Sequence, residues 1–228
     1  MCFDVVLKWR VLLAVSGIIV FVLLSGCHSL PQPQSTPPAE ERWVCPEFAD
    51  LPMRQDRMAE AISNHLKVLA SDPDNALAYY HLGYCWGRIG DHQEEVVAYL
   101  RAVDLGLQRE DLYYNLGMAW AELGAYDRAE QALEKAVAMA PDNGENHRAL
   151  GMVYFRQHYF AEAVEACRRA TELEPAAPES WHCLALSLAA AGEVEQARRA
   201  LERLLQLEGN YPLEKALRDL RTPAGERH

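Results

Sequence analysis

The sequence predicts an all-α superhelical solenoid of antiparallel helix pairs, with a lone helix before the array and a cap helix after it. Three observations carry this. Leu82-Gly83, Leu116-Gly117, Leu150-Gly151 and Leu184-Ala185 stand 34 residues apart each time. Tyr79, Tyr113, His147 and Trp181 keep the same interval, as do Trp86, Trp120, Tyr154 and Leu188. Within each copy the apolar residues recur three and four apart, the spacing of one helix face. A fixed period of this size means stacked copies of one supersecondary unit.

The chain opens with an address. Lys8 and Arg10 precede a 14-residue apolar run, Val11 to Leu24, that ends in Leu24-Ser25-Gly26-Cys27. A membrane span needs ~20 residues, so the run suits the hydrophobic region of a secretory signal over residues 1–26. The L-S-G-C ending resembles the bacterial lipobox. The resemblance implies cleavage before Cys27 and acylation of its thiol, hence attachment to a membrane through lipidated Cys27. His28 follows the cysteine where an Asp would favour inner-membrane retention, which leans towards the outer membrane facing the periplasm. Residues 27–50 then read as a tether, because Pro31, Pro33, Pro37 and Pro38 favour an extended chain without a packed core.

The folded region is expected over residues 51–221. Ala61, His65, Val68 and Pro73 occupy second-helix slots when the frame is counted backwards. The matching first-helix slots hold Cys45, Phe48, Ala49 and Pro52, a poor helix. The expectation is therefore one lone helix over 54–70, its end covered by Trp43 and Phe48. Four repeats follow, at 76–109, 110–143, 144–177 and 178–211. In the second, Tyr113, Leu116, Gly117 and Trp120 form one face of a first helix. Gly124 links it to a second helix carrying Ala129, Leu133 and Ala136. Pro141 ends that helix, and Asp142 or Asn143 can cap the next. Small Gly117 and Ala129 let the two axes approach to ~8–10 Å. The third repeat departs at His158, where the linking glycine would stand. The first puts Glu95 in a small-residue slot, which places it at the edge of a slightly shifted helix. Beyond Pro212, Leu213, Ala216, Leu217 and Leu220 share a face, and a cap helix over 212–221 would cover the open array end before a disordered tail at 222–228.

On these residues the unit resembles the tetratricopeptide repeat (TPR): aromatic, Leu-Gly, aromatic, Ala, large apolar, Ala, Pro. In that family the inner groove is lined from the first helices. The resemblance implies a groove for a protein or peptide partner, formed by Tyr80, Tyr84 and Arg88; by Tyr114, Met118 and Glu122; by Arg148, Met152, Phe155 and Arg156; and by His182. Aromatic area, adaptable thioethers and fixed charge suit peptide recognition. The chaperone-tail clamp of some family members finds Tyr80, Tyr84, Asn115, Glu145 and Ala149 in its places, one match of five, so that ligand is not expected. Lipoproteins of similar layout include the pilotins of type IV pilus systems, which help a secretin ring assemble. An adaptor for envelope or secretin assembly is the leading expectation, and recruitment of cell-wall hydrolases is the alternative.

Composition narrows the rest. The formal charge is −11, and −12 without residues 1–26 (20 basic against 32 acidic), which points away from nucleic acid. There is no phosphate-binding glycine loop, HExxH or GxSxG. His81 and Cys85, four apart, could offer two metal ligands, but no third lies nearby in sequence. The expectation is no enzyme, cofactor or metal; a metal- or thiol-dependent activity on His81, Cys85 or Cys183 is the remote rival. Six cysteines occur without a CxxC, and those beyond Cys27 read as small interfacial residues. A disulfide between Cys167 and Cys183, on consecutive helices, is the alternative.

Overall fold

The computed structural model describes residues 43–208, and among them there are ten helices and no strand. They are α1 (Glu47–Arg54), α2 (Met58–Ser71), α3 (Ala76–Arg88), α4 (His92–Asp104), α5 (Glu110–Glu122), α6 (Tyr126–Met139), α7 (Gly144–Arg156), α8 (Phe160–Leu173), α9 (Pro178–Ala190) and α10 (Val194–Leu207). The signal at 1–26, Cys27, most of the tether, the cap helix at 212–221 and the tail at 222–228 lie outside the described residues.

Each helix packs on the next, and the first helices α3, α5, α7 and α9 also touch in series. That is the stacking of a solenoid. Its pairs close on a repeated knob. A Cβ added at Gly83 would lie 2.5 Å from the Tyr99 ring, at Gly117 2.6 Å from Leu133 Cγ, and at Gly151 2.6 Å from Cys167 Sγ. Tyr99, Leu133 and Cys167 are 1 % exposed or less, so each pair interlocks in a dry seam. Asn75 and Asn143 cap α3 and α7, accepting from Ala78 N and Glu145 N at 3.0 Å each. The ring nitrogens of His147 and Trp181 reach the carbonyls of Pro141 and Pro175 at 2.9 Å, tying each repeat's entry to the preceding breaker.

The lone-helix expectation is corrected. Met58–Ser71 has a short partner, Glu47–Arg54, and the pair turns at Asp56 with φ 59°. Gly90, Gly124, His158 and Gly192 adopt the same left-handed turn, with φ from 65° to 83°, at successive 34-residue steps from Asp56. Residues 43–75 are therefore a degenerate repeat in frame. Pro52 sits inside α1, and the Phe48 carbonyl that it cannot engage accepts from Asn64 Nδ2 at 2.9 Å instead. Trp43 is buried and donates from Nε1 to the Asp74 carbonyl at 2.8 Å, whereas Phe48 is 52 % exposed.

Two further expectations change. Glu95 is buried, not at an edge. Gly87 makes the room: a Cβ there would stand 2.6 Å from the Glu95 carboxyl carbon. His92 Nδ1 meets Glu95 Oε2 at 2.8 Å. Cys167 and Cys183 form a disulfide with Cα atoms 5.6 Å apart, joining α8 to α9. The knob position of α8 faces the next first helix, so two cysteines in those slots are close enough to bond.

Candidate functional site

The inner stripe of the first helices is held by hydrogen bonds that cross from one repeat to the next. Tyr80 Oη donates to Asp111 Oδ2, and Tyr114 Oη donates to Glu145 Oε1, both at 2.9 Å. Arg109 clamps Asp111 from Nε and Nη2 at 2.9 and 2.6 Å. Its guanidinium also lies 5.0 Å from the Tyr80 ring centroid. Partial burial alone would raise the Asp111 pKa, but the Arg109 and Tyr80 hydrogen bonds outweigh it and hold this carboxyl below its ordinary range. Burial first, and then the Glu145 carboxylate, push the Tyr114 hydroxyl up to about 12, so it remains a donor at neutral pH. Arg88 donates to Tyr84 Oη at 3.1 Å and to Asp56 at 2.8 Å.

Between α5 and α7 this wall opens into a cavity of about 400 Å³. Met118, Glu122, Arg148, Met152 and Arg156, all from the expected stripe, line it together. The floor is apolar (Met118, Met152, Val153), and Arg148, Arg156 and Glu122 supply charge. Arg148 leans on Glu145 at 3.2 Å, which orients its guanidinium at the rim. Sequence reasoning missed Tyr126, which reaches the cavity from the start of α6, outside the first-helix stripe. Tyr80, Tyr84, Arg88 and Tyr114 do not line this cavity; they belong to the inter-repeat contacts just described. Phe155 turns to Phe160, ring centroids 5.8 Å apart, and His182 sits half-buried on α9. A larger cavity of about 520 Å³ lies by Trp43, Leu107 and Met139. Its lining comes mostly from connections and helix ends, so its volume does not make it the groove.

His81 does not pair with Cys85 as the metal-ligand spacing suggested. Its Nδ1 lies 3.0 Å from Asp50 Oδ1, beside His65 and Cys45. Cys85 is wholly buried among Ala78, Leu82 and Ala98. Burial raises its thiol to about 11, which makes it an inert packing group.

Tetratricopeptide-repeat family profiles match residues 47–111 and 98–144, and the profile of the anaphase-promoting complex, cyclosome, subunit 3 matches residues 122–204. No curated protein matches the chain in sequence. Among solved structures, MamA superposes with a TM-score of 0.69 at 23% identity, covering 76% of this chain and 99% of its own. YrrB, described as a TPR protein with an unusual peptide-binding site, gives 0.69 at 23%, covering 75% and 88%. MamA residues 41-end from Desulfovibrio magneticus RS-1 gives 0.69 at 19%, covering 73% and 94%. These likenesses show the same fold. Repeat frame, stacked helix pairs and family profiles agree: the chain is a tetratricopeptide-repeat protein, a scaffold and not an enzyme.

Proposed function

We propose that this protein is a membrane-tethered adaptor that holds a segment of a partner protein along its inner wall, in the envelope of a bacterium. The cavity between α5 and α7 carries the reading. It offers two methionines that can adapt to an apolar side chain, with Arg148 and Arg156 placed to meet a carboxylate. The fitting ligand is a peptide segment bearing an apolar anchor next to an acidic residue. YrrB, described as a TPR protein with an unusual peptide-binding site, supports peptide binding as the role of such a wall. Attachment is through lipidated Cys27 on the periplasmic side, the outer membrane being favoured by His28. The Cys167–Cys183 disulfide supports an oxidising compartment, where such bonds persist. No described helix is long and apolar enough to cross a membrane. Assembly of a secretin or pilus system is the role we favour within this class, and recruitment of cell-wall hydrolases is the alternative.

The test has two arms. Cys27→Ser should move the protein from membrane to soluble fraction; retention on the membrane removes the anchor. Met152→Ala with Arg156→Ala should abolish co-purification of the wild type's partner after crosslinking in intact cells, with the helical content unchanged. Undiminished capture by that variant removes the groove.

A further inference from the structure

The amino-terminal pair α1–α2 meets α3 at an unusual cluster. Cys45 comes from the strap before α1, Asp50 from α1, His65 from α2 and His81 from α3. One ligand atom from each lies within 4.8 Å of all the others. His81 Nδ1 and His65 Nε2 stand 3.0 and 3.8 Å from Asp50 Oδ1. These bracket the ~3.4 Å separation of donors on a tetrahedral zinc ion with bonds of ~2.0–2.1 Å. The polar atoms are close but not hydrogen-bonded to one another. Asp50 Oδ1, His81 Nδ1 and both ring nitrogens of His65 are buried without a hydrogen-bond partner, and the His65 side chain is 0 % exposed. No protein donor or acceptor satisfies these buried atoms, and an ion placed among them would give each a partner.

We infer that Cys45, Asp50, His65 and His81 form a structural site for a divalent transition metal, zinc(II) foremost, which staples the degenerate repeat to the first full one. A thiolate and a carboxylate neutralise the charge of the ion, which makes a partly buried site tolerable. Two imidazoles with one thiolate select a borderline-soft metal over magnesium or calcium. Four protein ligands close the coordination shell, as in structural rather than catalytic sites. Metal entry takes the Cys45 proton to solvent.

The repeat frame gives this site a counterpart. His65 and His81 are 16 residues apart, as are Cys167 and Cys183, and both pairs fill the same two slots. The seam that the disulfide locks between α8 and α9 is the seam the metal would lock between α2 and α3. Each is a cross-link at the junction between consecutive repeats.

The test uses the full-length chain purified in detergent, stripped with a chelator and titrated with cobalt(II) and then zinc(II). We expect one equivalent of cobalt bound, with the intense visible bands of four-coordinate cobalt and a near-ultraviolet thiolate-to-cobalt band, both displaced by zinc. Cys45→Ser should remove the thiolate band, and His81→Ala should weaken binding at least ~10-fold. Zinc should raise the thermal midpoint of the wild type and not of the variants. The wild-type spectrum decides even where a variant folds poorly. Weak six-coordinate bands, no bound metal, or a thiolate band unchanged in Cys45→Ser would overturn the site.

Discussion

The Tyr80 hydroxyl reaches across the repeat boundary and donates to Asp111 at 2.9 Å. The offset is 31 residues, and Tyr114 makes the same bond to Glu145 at the same offset. A frame of 34 with a side chain reaching back three residues produces it. The inner wall is thus pinned by paired polar contacts as well as by packing. Tyr80→Phe should cost about 1 kcal/mol in urea unfolding, since it removes the one bond that ties Asp111 to the preceding repeat's Tyr80 while the Arg109 clamp stays. Tyr114→Phe, whose bond is exposed, should cost less.

Gly117 faces Leu133 with no room for a methyl group. An alanine is the better helix former, yet its Cβ would also meet the Ala129 carbonyl oxygen at 3.2 Å. Gly117→Ala should therefore destabilise by about 1–3 kcal/mol. Pairing it with Leu133→Ala should cost less than the sum of the two single changes. Simple additivity in a double-mutant cycle would show that the seam is not shared.

His158 occupies the left-handed turn with φ 65°, where three other repeats place glycine. The conformation costs a residue with a Cβ roughly 1 kcal/mol. His158→Gly should raise stability by about that amount. A loss on that substitution would mean the ring's contact with Phe160, centroids 5.6 Å apart, matters more than the backbone.

Much of this was legible in the sequence, and the failures have physical causes. The frame predicted the helix pairs because Tyr, Leu-Gly and Trp recur on one face, and the same frame located the linking turn at His158. It missed α1 because Cys45, Phe48 and Pro52 carry no helical signature; Asp56, at the glycine slot, was the available signal. Glu95 was misplaced because its space is made by Gly87, a residue outside the repeat's signature. Met118, Glu122, Arg148, Met152 and Arg156 line one cavity, since one helical stripe suffices to align them. The Cys45, Asp50, His65 and His81 cluster was invisible because its ligands come from four separate segments. The contact of Phe155 with Phe160 was not foreseen, because spacing shows which face a ring occupies, not which way it turns.

Burial raises the Glu95 pKa, and the His92 hydrogen bond and charge only partly oppose this. A carboxyl raised on folding contributes stability below its unfolded value of 4.5 that is lost as pH rises through its folded value. Glu95→Gln should accordingly stabilise the protein at neutral pH and have little effect below about pH 4 in thermal melts across pH.

The Cys167–Cys183 bond closes a loop of 16 residues in the core. Replacing both by alanine should lower stability by about 3 kcal/mol on the chain-entropy account. A reducing agent should shift the wild-type melt towards that of the double variant and leave the variant's own melt unmoved.

The groove itself is tested most directly by a photo-crosslinking amino acid placed in living cells at Met152, inside the cavity, and separately at Val97, exposed on α4. The account predicts one discrete crosslinked partner from position 152, lost when Arg156→Ala is added, and none from position 97. Equal crosslinking at both positions, or a partner captured only at 97, would contradict it.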